Sequence, residues 1–170
     1  AGTVVAGTLA GCSGGDDGSE ADDDGDSDET ESQSAGWPMF HRGVANSGEA
    51  ASGGPTDGVD SRWQFETGDV VYASPTVVNG TVYVGSYEGS LYALSASDGS
   101  EQWSFDVASF SSPAVVDETV YTAGNDGVVY AIDAEDGSEQ WQYDTYYDIL
   151  SSPTVVGGTV YIGTDEGTVY

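Results

Sequence analysis

Thirty carboxylates, one histidine and one cysteine are the side chains that could do chemistry in this sequence. Against them stand two strong bases, Arg42 and Arg62, and no lysine, so the formal net charge is −28. His41 has no second histidine with which to build a dyad or a His-rich metal site. Its surroundings, Trp37-Pro-Met-Phe-His41-Arg42, read instead as an aromatic segment that packs onto the repeats C-terminal to it. Cys12 is alone, which excludes an internal disulfide and a multi-cysteine metal cluster. The carboxylates could gather a cation, but they are spread along the chain, which fits an acidic solvated surface better than one site. The charge argues against nucleic acid as a partner, because neutralising phosphates takes a basic patch. It also predicts a protein of the halophile kind. Self-repulsion of this size weakens a compact state, and molar salt, with a Debye length of about 3 Å, screens it.

Residues 1–11 are small and apolar, too few to span a bilayer as a helix, and read as the tail of a secretory signal. Leu9-Ala10-Gly11-Cys12 resembles a lipobox, the cleavage and lipid-attachment site of prokaryotic lipoproteins. That resemblance implies a charged leader upstream, cleavage before Cys12 and a lipid on its sulfur. Residues 12–36, rich in Gly, Ser, Asp and Glu, bury too little apolar surface to offset ordering entropy. They are predicted to form a disordered, extended tether. Residues 37–61 are the aromatic lead-in and a loop.

From residue 62 the chain repeats. Trp63, Trp103 and Trp141 recur at intervals of about 40 residues, a period that signals a propeller, solenoid or array. Each tryptophan precedes a Ser-Pro pair (Ser74-Pro75, Ser112-Pro113, Ser152-Pro153) and a Val-rich run. Strand rules divide each unit into four short β segments. In the first they are Thr76–Val78, Thr81–Ser86, Ser90–Ser95 and Glu101–Phe105. Asn79-Gly80 is the clearest hairpin signal, because both residues tolerate positive φ. The second unit gives Ala114–Val116, Thr119–Ala123, Val128–Asp133 and Glu139–Tyr143. The third gives Thr154–Val156, Thr159–Thr164 and the start of a strand at Thr168–Tyr170. No segment has helical periodicity.

Four antiparallel strands per unit of about 40 residues predict an all-β fold, a β-propeller of four-stranded blades. The copies are 63–102, 103–140 and a partial 141–170, about two and a half blades of an incomplete ring. Trp63, Trp103 and Trp141 are expected to be blade architecture, large surfaces wedged between neighbours. Strand 62–66 is expected to serve as the outer strand of a closing blade. An array buries its core only by stacking, so the open faces call for further blades or self-association.

The pattern Ser-Pro-x-Val-x-x-Gly-x-Val-Tyr-x-Gly, then Gly-x-Leu-Tyr-Ala-Leu, then Ala-x-Asp-Gly-x-x-x-Trp resembles the PQQ-like (pyrroloquinoline quinone) β-propeller repeat over residues 63–170. The family includes quinoprotein dehydrogenases, outer-membrane assembly lipoproteins and sensor domains, so the resemblance fixes a fold and not a function. In the resembled dehydrogenases a vicinal cysteine pair covers the quinone, and carboxylates hold Ca²⁺ beside a catalytic Asp. Here there is no Cys-Cys, and no Asp or Glu can be assigned to either role. No catalytic, cofactor-binding or metal residue is assigned; PQQ and Ca²⁺ belong only to the alternative, a quinoprotein oxidoreductase. The leading expectation is a non-catalytic binding scaffold outside the membrane, lipid-anchored at Cys12, with a protein partner. An extracellular sensor is a third reading.

If there is a binding face, it lies where the turns between second and third strands meet the blade-to-blade crossings. The crossings vary most between copies, and variable loops on a repeated scaffold carry binding. That face would collect Glu88, Asp126, Asp165 and Glu166 from the turns. From the crossings it would collect Asp69, Tyr72, Phe110, Tyr146, Tyr147 and Asp148.

Overall fold

The computed structural model describes residues 3–5, 36–37, 58–87 and 89–170. Two short strands precede the repeats, β1 (Thr3–Val5) and β2 (Gly36–Trp37), followed by β3 (Gln64–Glu66). The first blade is β4 (Thr76–Val78), β5 (Thr81–Gly85), β6 (Leu91–Ser95) and β7 (Glu101–Phe105). The second is β8 (Ala114–Val116), β9 (Thr119–Ala123), β10 (Val128–Asp133) and β11 (Glu139–Asp144). The third begins with β12 (Thr154–Val156) and β13 (Thr159–Tyr161), and the bridge Gly163↔Val169 starts its next strand pairing. Cys12, Glu88 and the acidic stretch after Cys12 lie outside the described residues.

Each blade is an antiparallel meander, β4-β5-β6-β7 and β8-β9-β10-β11 in spatial order. The fold is therefore the all-β partial propeller that the repeats imply. The copies match down to an irregularity. The register slips between Ala93 and Leu94 in one blade and between Ala131 and Ile132 in the other. Two pairings have no counterpart in the repeat pattern. β2 runs antiparallel beside β4, with Trp37 opposite Val77. β1 runs antiparallel beside β3, with Val4 opposite Phe65. Strand 62–66, which the sequence reserves for a closing blade, is thus partnered here by the N-terminal stretch.

The core lies between blades, so both faces of a blade are apolar. Tyr83, Leu91 and Trp103 of the first blade pack with Val115, Val120 and Ile132 of the second. Trp63, Val82, Val84 and Leu94 form the matching layer on the first blade's other face. Ala123 and Val129 continue the stack against Ile149 and Ile162. Each wholly buried Leu, Ile or Val contributes roughly 1.5–3 kcal/mol.

Two repeated contacts join the blades. Trp63 and Trp103 are each 8% exposed. The Trp63 indole N–H donates to the Ala96 carbonyl at 3.0 Å, and that of Trp103 to the Ala134 carbonyl at 3.0 Å. The ring lies on the glycine of the same turn. A Cβ on Gly99 would stand 2.5 Å from Trp63, and one on Gly137 2.8 Å from Trp103. This is why the motif reads Ala-x-Asp-Gly: the glycine has positive φ and must leave room for an indole. The second contact is a serine ladder. The Ser74 amide donates to Ser112 Oγ at 2.8 Å, and the Ser112 amide to Ser152 Oγ at 2.9 Å. The serine of each Ser-Pro pair thus ties the start of one inner strand to that of the next. Trp141 departs from the pattern: it is 41% exposed and touches Tyr121, because no third-blade turn among the described residues covers it.

Candidate functional site

The turns between second and third strands do share a face with the crossings, and backbone hydrogen bonds clip them together. The Tyr87 amide donates to the Val70 carbonyl, Asn125 to Ala108 and Asp165 to Asp148, at 2.9, 2.8 and 3.0 Å. The repeat thus holds each variable crossing against a blade turn, and a rigid support under variable loops is what a binding face requires.

Between the first two crossings the structure gathers an aromatic cluster. Tyr72 meets Phe110 at 5.3 Å and Tyr87 at 5.9 Å between ring centroids, and Tyr87 meets Phe110 at 4.5 Å. Tyr72 is 62% exposed, while Tyr87 and Phe110 are partly buried. Asn125 staples the cluster: its Oδ1 accepts from the Phe110 amide at 3.1 Å and its Nδ2 donates to the Tyr87 carbonyl at 3.3 Å. Two members, Tyr87 and Asn125, are additions to the expected site residues. Both read as turn residues in the sequence, and only the clipping of turn to crossing gives them a role.

On the third crossing Tyr146 is 84% exposed and Tyr147 is also exposed. Tyr146 holds positive φ, with its amide donating to Asp144 Oδ1 at 2.7 Å. Thr145 Oγ1 donates to the carbonyls of Gly127 and Tyr147, pinning the loop to the Gly127 turn. Among the described residues, no ring contact links Tyr146 or Tyr147 to the Tyr72 cluster. The face therefore offers two aromatic positions, one spanning the first two crossings and one on the third.

The carboxylates divide into those engaged locally and those left to solvent. Asp69 Oδ1 accepts from the Val70 amide at 2.6 Å. Asp126 accepts from the Val128 amide at 3.1 Å and, through Oδ2, from the Tyr130 hydroxyl at 3.0 Å. Burial pushes the Tyr130 hydroxyl up to about 12, helped by the Asp126 bond and the charges of Asp126, Glu139 and Asp144. Asp148, Asp165 and Glu166 are exposed. Among the described residues, no three His, Cys, Asp or Glu side chains converge on a point that could hold a metal ion.

A family model for the outer membrane protein assembly factor BamB matches residues 49–170. The chain belongs to that family. Among solved structures it is similar to BamB from Moraxella catarrhalis, at 25% identity and TM-score 0.57 over 65% of this chain and 36% of that one. It is also similar to quinohemoprotein alcohol dehydrogenase ADHIIG from Pseudomonas putida HK5, at 32% identity and TM-score 0.53, covering 59% of this chain and 17% of that one. The quinohemoprotein alcohol dehydrogenase of Comamonas testosteroni shares the fold, with TM-score 0.63 at 23% identity over 76% of this chain and 23% of that one. No curated protein matches the sequence. The chain thus spans about a third or less of the length of these solved proteins. The PQQ-like propeller repeat is common to both groups.

Proposed function

We propose that this chain is a non-catalytic binding scaffold whose crossing face takes a protein segment at a membrane. The observation that carries it is the Tyr72–Tyr87–Phe110 cluster, an aromatic patch clipped to the scaffold. Aromatic anchors on rigid supports are the usual hot spots of protein interfaces. Tyrosine rings on a chain of net charge −28 favour an extended segment carrying Arg or Lys with aliphatic neighbours, because a cation is drawn to both ring faces and carboxylates. Membership of the BamB family supports a partner in membrane-protein assembly. The lipobox supports an anchor at Cys12, with the acidic stretch as spacer on the outer face of the membrane. An intact-mass shift removed by Cys12→Ser tests that anchor.

The reading is tested with a labelled nine-residue peptide alternating Arg and Leu, beside its Glu counterpart, in molar salt that suppresses long-range attraction. Tyr72→Ala and Phe110→Ala are expected to weaken Arg-peptide binding about tenfold, the effect of losing roughly 1.4 kcal/mol at a hot spot. Tyr161→Ala, on a different surface, is expected to leave it unchanged. Binding of both peptides alike, or insensitivity to Tyr72 and Phe110, overturns the reading.

A further inference from the structure

The hairpin between the first two strands of a blade is built in three ways: Asn79-Gly80-Thr81, Asp117-Glu118-Thr119 and Gly157-Gly158-Thr159. The two central residues hold positive φ in every copy, so the turn forms without asparagine. The threonine has work in the fold. Thr81 Oγ1 donates to Gln102 Oε1 at 3.2 Å, as Thr119 Oγ1 does to Gln140 Oε1 at 3.2 Å. The Asn79 side chain is exposed, and among the described residues its amide has no hydrogen-bond partner. A Cβ on Gly80 would meet nothing within 4 Å, so the tip stands in open space. Asn46 and Asn125 each have a glycine two residues on, so Asn79 alone is followed at that distance by a hydroxyl residue. An Asn-x-Thr triplet on a surface turn of an exported chain is the acceptor signature for N-linked sugar.

The meander sets this tip on the face opposite the crossings. Strands alternate in direction, so the first and third turns of a blade lie at one end, and the second turn lies with the crossings at the other. The Gly80 carbonyl accepts from the Ala96 amide of the third turn at 2.8 Å, whereas the Tyr87 amide of the second turn donates to Val70 in a crossing. A large group on Asn79 therefore leaves Tyr72, Tyr87 and Phe110 uncovered.

We propose that Asn79 is a glycosylation site, taking an oligosaccharide from a polyprenyl phosphate-linked donor at the outer face of the membrane. Asn79 Nδ2 bonds to the anomeric carbon of the sugar as the bond from that carbon to the phosphate oxygen breaks. The lipid phosphate leaves with the electron pair, Nδ2 gives up one proton, and nothing is oxidised or reduced. Thr81 Oγ1 is engaged in the folded blade, so transfer precedes closure of this hairpin. The proposal rests on the outer-face location given under the proposed function, and not on the partner of the aromatic patch.

The test uses the full chain isolated from the membranes of the cells that produce it. A Glu-specific protease releases residues 67–88, and mass spectrometry reads that peptide for added sugar units and the N-terminal peptide for a lipid on Cys12. The parent is expected to carry sugar on Asn79. Thr81→Ser is expected to keep it, and Thr81→Ala and Asn79→Gly to lose it. Asn79→Gly reproduces the Gly-Gly turn of the third copy, so its loss of sugar is not a folding defect, and its binding of the Arg peptide is expected to match the parent's. A bare Asn79 in a chain lipidated at Cys12 overturns this proposal alone. A bare Asn79 without the lipid overturns it together with the outer-face location. Sugar without the lipid sustains it and removes only the anchor. Sugar that persists in Asn79→Gly overturns it.

Discussion

The hairpin joining the first two strands of each blade shows what one residue contributes. Its two central residues take positive φ in all three copies: 50° and 80° at Asn79-Gly80, 48° and 63° at Asp117-Glu118, and 56° and 75° at Gly157-Gly158. Asn, Asp and Gly tolerate that region, whereas Glu118 does so under strain. The backbone job is the same, because the Glu118 carbonyl accepts from Ala134 at 2.9 Å as Gly80 does from Ala96 at 2.8 Å. Glu118→Gly is therefore expected to stabilise the chain by about 1 kcal/mol, read as a higher urea midpoint with an unchanged slope. Tyr130 makes a second residue-scale expectation. Its hydroxyl is pushed up to about 12 in the fold, against an ordinary value of 10.0. Above pH 10 the unfolded chain loses this proton first, so the folded state loses ground as pH rises from 10 towards 12. Tyr130→Phe is expected to make the urea midpoint fall less steeply over that window than in the parent. Equal slopes would contradict the assignment.

Strands and blades are largely legible in the sequence, because period-two alternation and turn glycines recur in copies that check one another. β11 extends one residue beyond the expected segment, and β6 starts one later. The Asp117-Glu118 turn carries no glycine, and only alignment with Asn79-Gly80 reveals it. Pairing partners are less legible. Thr3–Val5 and Gly36–Trp37 are too short for periodicity to mark, and their partners lie far along the chain. Of the expected face, Tyr72 and Phe110 come together, while Tyr146 and Tyr147 stand apart on the next crossing. The third member, Tyr87, is hidden in a turn pattern, because a contact between crossing and turn has no linear signature. Trp63 and Trp103 are buried as their spacing implies; Trp141 has the same sequence context and a different environment, which no local pattern distinguishes.

At the scale of the whole molecule, the chain is a one-dimensional array in which each blade touches only its neighbours, under a net charge of −28. Stability then resides in the interfaces, and two of them turn on an indole lying across a glycine, Trp63 on Gly99 and Trp103 on Gly137. That arrangement also keeps the crossings in register on one face, so the binding reading depends on it. The most direct test is a pair of double-mutant cycles measured by urea unfolding in molar salt. Trp103→Phe with Gly137→Ala joins residues in contact across one interface, and Trp63→Phe with Gly137→Ala joins residues of different interfaces. The first cycle is expected to show a coupling of about 1 kcal/mol or more, and the second to be additive within about 0.5 kcal/mol. Equal coupling in the two cycles, or none in the first, would contradict the docking of Trp103 on Gly137 of the following blade.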